Sequence, residues 1–283
     1  MNQTPPGSPP LVSVVIPAYR ATATITRAVS SVLAAGLPQH AVEILVESDD
    51  GSDYAAAAAL SPNVQVAVSG AVASGVGPTR NRAMARARGD WLAFLDADDS
   101  FAPGYLAALL PRAQGCGAAA APLAVIEGDH TILDLWQGQA ALGFADLAET
   151  GASVRLIVAR ASCPPFADAL SQDILHAVQV MAARGGSLPL STIPYELRLT
   201  GQSVTAASDF AARVHHAYLD HIATLENADL PPDMARAAAQ VFRAKIALNA
   251  AYEATGSIKS YYRFIANRLQ GRAIKPAPPP FSV

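Results

Sequence analysis

Cysteine and charged residues are both scarce in this sequence of 283 residues. It contains two cysteines, Cys116 and Cys163, and charged residues make up 15% of the chain. Two cysteines are too few for a disulfide framework, and their spacing is not that of a metal site. The formal net charge of −3 provides no basic field, so we expect no nucleic-acid partner.

Long apolar runs are also absent, although hydrophobic residues make up 51% of the sequence. No run reaches the roughly 18 residues that a membrane-spanning helix needs. Residues 1–10 are polar and rich in proline, without the charged and apolar regions of a secretory signal. We therefore predict a cytoplasmic protein with a disordered lead-in at residues 1–10.

Short apolar segments alternate with helical patterns up to about residue 112. This alternation predicts an α/β fold with a mostly parallel sheet and flanking helices. A later helix is predicted to begin at Asp168 or Ser171. The predicted strands are 11–16, 42–46, 64–68, 91–95, 118–126, 154–159 and 193–200, and the two or three helices at the end of the chain are about 208–226, 232–254 and 257–270.

Polar or special residues follow three of these strands, at 17–20, 47–53 and 96–99. Ligands of parallel sheets bind beyond the carboxyl ends of the strands, so these exits favour a binding site. Asp96 and Asp98 point the same way from an extended chain. Two carboxylates this close repel each other unless a cation lies between them, and a hard divalent cation is the natural partner. The alternative is a solvated acidic turn.

Four segments of the chain follow one another in an order and at a spacing typical of a known family. They are LVSVVIPAY at 11–19, DDGS at 49–52, RNRA at 80–83 and GDWLAFLDADD at 89–99. Together they resemble the family 2 glycosyltransferases of bacterial polysaccharide synthesis. The resemblance implies a GT-A fold, which is Rossmann-like. It also implies transfer of a sugar from a nucleotide diphosphate with inversion at the anomeric carbon.

The same resemblance divides the chain into regions. It implies a nucleotide-sugar-binding half at residues 11–100 and an acceptor-binding half at residues 101–207. Residues 208–283 lie outside it, and we predict that they form a helical C-terminal extension with a proline-rich tail. Whether this extension sets the acceptor, homodimer formation or membrane contact is left open.

The resemblance also implies a cofactor and a set of donor contacts. Asp98 would hold Mn²⁺ or Mg²⁺, and Asp96 would face the ribose or share the ion. Arg80 would meet the diphosphate near a helix N-terminus, the alternative being a solvated arginine. Two residues depart from the family pattern: Glu47 adds an acid before the Asp-Asp loop, and Arg20 stands where asparagine is commoner. The predicted nucleotide contacts are Pro17, Ala18, Tyr19, Glu47, Asp49, Asp50, Arg80, Asp96 and Ala97.

An inverting transfer needs a general base that takes the proton of the acceptor hydroxyl. By the same resemblance, the segment 166–173 carries this base, and we predict Asp173 with Asp168 as its rival. Gln172 occupies the position where the family usually has a glutamate. The alternative interpretation is that Asp173 only caps a helix.

The partners are predicted by class. UDP is the first expectation for the donor nucleotide, and the acceptor is expected to be a saccharide or a lipid-linked saccharide. The last predicted helix carries an apolar stripe that includes Ile258, Ile265 and Leu269, with basic residues around it. This pattern raises the hypothesis of peripheral contact with the inner face of a membrane through residues 257–275. Packing on its own domain is the favoured alternative.

Other functions stay open at this point. GVGPTR at 75–80 resembles the glycine-rich loop of sugar-phosphate nucleotidyltransferases, although that loop should follow the first strand. A non-catalytic nucleotide-binding module of the same fold is a second alternative, because Gln172 replaces an acid. A dehydrogenase is disfavoured, since no G-x-G-x-x-G follows the first strand. The helical histidines share no helix face and are predicted to be surface or core residues; they are His215, His216 and His221.

Overall fold

The computed structural model describes residues 9–199, 210–255 and 260–273. Its strands are β1 Val12–Ala18, β2 Val42–Ser48, β3 Val64–Ala67, β4 Trp91–Phe94, β5 Ser100–Phe101, β6 Ala118–Ala120, β7 Leu123–Glu127, β8 His130–Leu135, β9 Ala141–Gly143, β10 Leu156–Ala159, β11 Ser187–Pro189 and β12 Tyr195–Leu199. Its α-helices are α1 Ile25–Leu33, α2 Ala55–Ala58, α3 Val76–Arg86, α4 Tyr105–Gln114, α5 Phe144–Thr150, α6 Gln172–Ala182, α7 Phe210–Glu226, α8 Pro232–Glu253 and α9 Tyr261–Ala273.

The central sheet, within the described residues, has six strands in the order β3-β2-β1-β4-β10-β6. The first four of these run parallel, whereas β10 is antiparallel to both of its neighbours. Every residue of β1 and β2 is buried. Their nearly continuous runs of valine, isoleucine and leucine suit strands that are covered on both faces. Helix α3 packs against β1 and β2, and α4 packs against β6 and β10.

A second sheet has the order β5-β12-β7-β8, and β9 and β11 form a small ribbon. Strand β5 of this second sheet follows β4 of the central sheet almost directly. β5 pairs antiparallel with β12, so that Tyr195 lies opposite Phe101 and Glu196 lies opposite Ser100. The carboxylate-rich turn at 96–99 therefore connects the two sheets and lies between them.

The structure confirms the predicted α/β fold with a mostly parallel sheet, and the described part of the C-terminal region consists of the helices α7, α8 and α9 with short connections. The prediction of one strand at 118–126 is wrong. β6 ends at Ala120 in the central sheet, and β7 begins at Leu123 in the second sheet. Pro122 lies between them and has no amide to donate to a ladder, so it separates the two strands.

Helix α9 packs on its own chain. Phe264, Ile265 and Ala266 are buried, Leu269 packs against the same core, and the helix contacts β8. The described stripe residues Ile265 and Leu269 thus pack on the chain itself, as the alternative interpretation predicted, and membrane contact through residues 257–275 stays a hypothesis. No helix within the described ranges combines the length and the apolar character that crossing a membrane requires.

Some predictions fall outside the described residues. These are the lead-in up to residue 8, the stripe residue Ile258 and the proline-rich tail after Ala273. The division into a nucleotide-sugar-binding half, an acceptor-binding half and an extension stays a prediction, as does the homodimer.

Candidate active site

The turn that follows β4 is held by the second sheet. The Asp99 amide donates to the Asp96 carbonyl at 3.1 Å and closes the turn. The hydroxyl of Tyr195, from β12, accepts the Asp96 amide at 3.1 Å and donates to Asp99 Oδ2 at 2.7 Å. The Arg198 amide donates to the other Asp99 oxygen at 2.8 Å. Asp99 is therefore an internal support of the turn, with both oxygens occupied.

Asp96 lies between two arginines. Its Oδ1 forms an ion pair with Arg80, and its Oδ2 forms an ion pair with Arg155. Burial works to raise the pKa of the Asp96 carboxyl, but Arg155 and Arg80 outweigh it and hold that pKa well below its usual range. The sequence-based alternative of a solvated Arg80 is wrong, since this side chain is only 2% exposed. Its guanidinium also lies over the Phe166 ring, 5.1 Å from the centroid.

Arg155 links this turn to the predicted base. Its Nη1 lies 2.9 Å from Asp173 Oδ2, while its Nη2 pairs with Asp96. Asp173 lies in the first turn of α6. Asp168 is exposed, and its carboxylate lies beside Gly75 instead. Of the two candidate bases, the structure therefore joins Asp173 to the carboxylates that follow β4.

Asp98 is the carboxylate best suited to a cation. Burial and then the neighbouring Asp96 raise the pKa of the Asp98 carboxyl, a cost that a divalent cation would offset. The described part of the chain contains no group of three or more His, Cys, Asp or Glu side chains that could hold a metal ion. Mg²⁺ commonly binds through one or two carboxylates together with phosphate oxygens and water, so a single Asp98 fits such an ion.

The predicted base and ribose wall lies at the end of β1. Pro17 and Ala18 are buried in the strand, whereas Tyr19 is 48% exposed, with the Arg20 guanidinium 5.1 Å from its ring centroid. The Asp50 carboxylate accepts the Arg20 amide at 2.5 Å and the Tyr54 hydroxyl at 2.8 Å. Burial opposes this charge, but these hydrogen bonds and the Ser52 amide lower the pKa of the Asp50 carboxyl.

Asp49 and Glu47 point inward and support α3. Asp49 accepts the amides of Ser74 and Gly75, each at 3.0 Å. Glu47 is fully buried and accepts charged hydrogen bonds from Arg82 and Arg86. These contacts occupy both oxygens of Glu47. Its carboxylate therefore stabilises the packing of α3 on the sheet and is not exposed at the sheet edge where the donor is expected. Ala97 is buried within the turn.

The family model described as "Glycosyl transferase family 2" matches residues 13–154, which is half of the chain. The chain belongs to glycosyltransferase family 2. The succinoglycan biosynthesis protein ExoO of Rhizobium meliloti (strain 1021) is 37% identical over 112 residues. This alignment covers 38% of the chain and 31% of ExoO, so the glycosyltransferase described here matches about a third of that relative's length.

Solved structures confirm the predicted GT-A fold of this glycosyltransferase. S. aureus TarS 1–349 in complex with UDP-GlcNAc has a TM-score of 0.64 at 17% identity, covering 84% of this chain and 72% of TarS. The mannosyltransferase PcManGT from Pyrobaculum calidifontis, in complex with GDP-Man and Mn²⁺, has a TM-score of 0.56 at 18% identity, covering 95% and 88% of the two chains. At this identity the likeness establishes the fold alone.

Sequence reasoning missed Arg155 in this family 2 glycosyltransferase. It directly precedes β10, and β10 runs antiparallel to β4. An antiparallel strand begins at the edge where its parallel neighbours end, so Arg155 comes next to Asp96. The available signal was an arginine inside an otherwise apolar run, VRLIVA at 154–159. The strand direction needed to interpret this arginine is not encoded in that run.

Proposed function

We propose that this chain is a metal-dependent, inverting glycosyltransferase of the hexosyl-transferring type. It would move a sugar from a nucleotide diphosphate to a hydroxyl of a saccharide or lipid-linked saccharide, in polysaccharide biosynthesis. The observation that carries the proposal is the connection of Asp96 to Asp173 through Arg155, with Asp98 two residues away. It brings a carboxylate able to act as base next to the turn expected to receive the donor.

Asp173 would act as the base of this reaction. The acceptor oxygen attacks the anomeric carbon, its proton passes to Asp173, and the bond from that carbon to the diphosphate oxygen breaks. Arg155 occupies Asp173 Oδ2, which leaves Oδ1 for the proton. Asp168, exposed beside Gly75, is the second choice.

The leaving diphosphate gains negative charge as this bond breaks. Asp98 would hold Mn²⁺ or Mg²⁺, with Asp96 as the second candidate ligand, and the bound ion would stabilise that charge. Both Asp96 oxygens are paired with arginines, so we assign the metal first to Asp98. The buried guanidinium of Arg80 adds positive charge on the same side.

The donor nucleotide would lie at the ends of β1 and β2. We propose that Pro17, Ala18 and Tyr19 form the wall for base and ribose and that Asp50 and Ala97 border it. UDP stays the first expectation, because the similar TarS structure holds UDP-GlcNAc. PcManGT, which holds GDP-Man, keeps GDP as the next choice. ExoO, a protein of succinoglycan biosynthesis, supports a polysaccharide as the product.

A non-catalytic nucleotide-binding module is the second candidate. The buried Gln172 Oε1 makes no hydrogen bond in the described structure, and it stands where the family usually has an acid. This unpaired amide favours a binding role without transfer. Sugar transfer by the wild type would exclude this candidate, whereas transfer seen only in a Gln172→Glu variant would support it.

Thermal unfolding with nucleotides tests the donor site directly. We would measure Tm with UDP, GDP, dTDP and CDP, each with and without Mn²⁺, for the wild type and for Asp98→Asn. A ligand at about 100 times its Kd stabilises the folded state by ~2.7 kcal/mol, which raises Tm by several degrees. A Mn²⁺-dependent shift with one nucleotide, lost in Asp98→Asn, is expected. No shift with any nucleotide would contradict the proposal.

A further inference from the structure

We propose that helix α7, from the C-terminal extension, positions the catalytic base through His221 and Tyr218. His221 binds the carbonyl of Leu170, and Tyr218 lies beside Ser171; Leu170 and Ser171 directly precede α6, whose first turn carries Asp173. The inference rests on the proposed function for the role of Asp173. It assigns a catalytic purpose to a region that lies beyond the family match at residues 13–154.

His221 makes a buried polar contact with the chain that leads into α6. Its side chain is 2% exposed, and its Nε2 lies 2.9 Å from the Leu170 carbonyl oxygen. A carbonyl only accepts, so Nε2 carries the proton and donates it. The Phe242 ring of α8, 5.0 Å away between centroids, packs against the imidazole and fixes its orientation.

Tyr218, one turn earlier on α7, is 3% exposed; burial raises the pKa of its hydroxyl to about 12, and the neighbouring Ser171 side chain works to lower that pKa. Ser171 is the N-cap of α6 and has φ 56° and ψ 27°, a left-handed conformation that is unfavourable for a residue other than glycine. An N-cap serine normally turns its hydroxyl to the first free amides of its helix, but Ser171 makes no such bond. Its side chain lies beside Tyr218 of α7 instead.

The backbone conformation of Ser171 determines where the side chain of Asp173 lies. The carbonyl of Ser171 accepts the amides of Ile174 at 3.1 Å and Leu175 at 3.2 Å, so it forms the first turn of α6. Strained backbone of this kind persists only where surrounding contacts enforce it. Releasing Leu170 and Ser171 from α7 would let this turn relax and move Asp173 away from Arg155.

The other end of the same segment is held by the nucleotide-sugar-binding half. The Asn81 side chain forms two hydrogen bonds with the Phe166 backbone, one to its oxygen and one from its amide, both at 2.8 Å. The segment 166–171 is therefore fixed at both ends, by α3 and by α7. This arrangement makes the extension a structural part of the proposed catalytic site rather than an appendage.

The test uses the full chain and compares His221→Leu and His221→Gln with the wild type. The glutamine amide nitrogen can replace Nε2 as a donor, whereas leucine cannot. The assay follows nucleoside diphosphate release from UDP-N-acetylglucosamine, UDP-glucose and GDP-mannose, with water as the acceptor. For the substrate that turns over, we expect kcat to fall roughly 10- to 100-fold in His221→Leu, with recovery in His221→Gln. The Kd of the nucleotide, measured by Tm shift, should stay within about twofold.

Val214→Ala is the control for lost stability, because Val214 is a buried α7 residue with an apolar side chain. It should lower Tm without changing kcat at a temperature where the variant is folded. An equal loss of kcat in Val214→Ala and His221→Leu at matched Tm would overturn the proposal. So would an unchanged kcat in His221→Leu.

Hydrogen exchange gives a second readout that does not depend on the donor. In His221→Leu, amides of residues 168–175 should exchange faster, while those of β1 should keep the wild-type rate. Unchanged exchange at 168–175 would overturn the positioning role even if no sugar donor turns over. Failure of the wild type to bind any nucleotide would count against the proposed function alone, so the two failures are distinguishable.

Discussion

The guanidinium of Arg155 lies 2.9 Å from a carboxylate oxygen of Asp173, and its other terminal nitrogen pairs with Asp96. One planar, charged group thus sets the distance between the proposed base and the turn proposed to bind the donor. Tyr195 packs beneath it, with the Arg155 guanidinium carbon 5.4 Å from the ring centroid.

Arg155→Lys should separate base positioning from donor binding. Lysine keeps the charge but is a point donor, so it cannot bridge Asp96 and Asp173 with the planar fork of arginine. We expect kcat to fall roughly 10- to 100-fold, with a smaller change in nucleotide Kd. Arg263→Lys, at an exposed ion pair with Glu127, is the control and should leave both quantities unchanged. A loss of nucleotide affinity as large as the loss of kcat would contradict the bridging role.

Asp173→Asn should abolish transfer while leaving nucleotide binding intact. The amide keeps the shape of the side chain but cannot take the proton of the acceptor hydroxyl, and a general base contributes about 10²- to 10⁴-fold to a rate. Asp168→Asn is the matched control, and its kcat should stay near the wild-type value. The reverse outcome, with Asp168→Asn inactive and Asp173→Asn active, would move the base to Asp168.

Gly77→Ala should destabilise the fold through the segment that leads to α6. A Cβ at this position would lie 2.1 Å from the carbonyl oxygen of Ala167, so backbone would have to move. Overpacking of this kind costs about 1–3 kcal/mol, more than the ~0.5–1 kcal/mol that alanine gains over glycine in a helix. The control is Gly115→Ala, where a Cβ meets no atom within 4 Å and φ is −75°. Urea unfolding should show a lower midpoint for Gly77→Ala and an equal or higher one for Gly115→Ala.

His176 should make the folded state less stable in acid. Its ring is buried and stacked on Phe166 with 4.0 Å between centroids; burial and then Arg80 lower its pKa from 6.5 to about 3. Below pH 6.5 the His176 imidazole takes up a proton in the unfolded chain but stays neutral in the folded protein. The contribution of neutral His176 to the free energy of unfolding is therefore fully present above pH 6.5. It decreases as the pH falls, by about 2 kcal/mol at pH 5.

The measurement is urea unfolding of the wild type and His176→Gln at pH 5 and pH 7. Because glutamine does not titrate, the stability lost between these pH values should be smaller in the variant by about the predicted 2 kcal/mol. Equal losses in the two proteins would show that His176 does not cause this pH dependence.

The strand exits could be predicted from the sequence because local patterns encode them. The apolar run 91–95 and the three aspartates after it are adjacent in the chain, and the parallel arrangement of strands makes such exits converge. Residues that act across the fold could not be found in this way. His221 lies 51 positions from the carbonyl that it binds, and nothing within α7 distinguishes it from an ordinary core histidine.

The orientation of the acidic side chains also could not be predicted from the sequence. Asp49 and Asp50 are neighbours, yet Asp49 turns beneath α3 while Asp50 faces Tyr54 and the end of β1. Glu47 was predicted to contact the nucleotide, but its carboxylate forms ion pairs with Arg82 and Arg86 of α3. Which carboxylates are neutralised internally depends on where that helix packs, and this is decided by tertiary contacts rather than by the order of the residues.

The strands β6 and β7 belong to different sheets and are joined by two residues, Ala121 and Pro122. Both of these residues are buried, and the proline ring fixes one of the few torsions available to them. Such a short, buried connection restricts the movement of one sheet against the other. We therefore expect any closure over a bound sugar nucleotide to come from the loops around the edge of the central sheet, while the turn at 96–99 keeps its position.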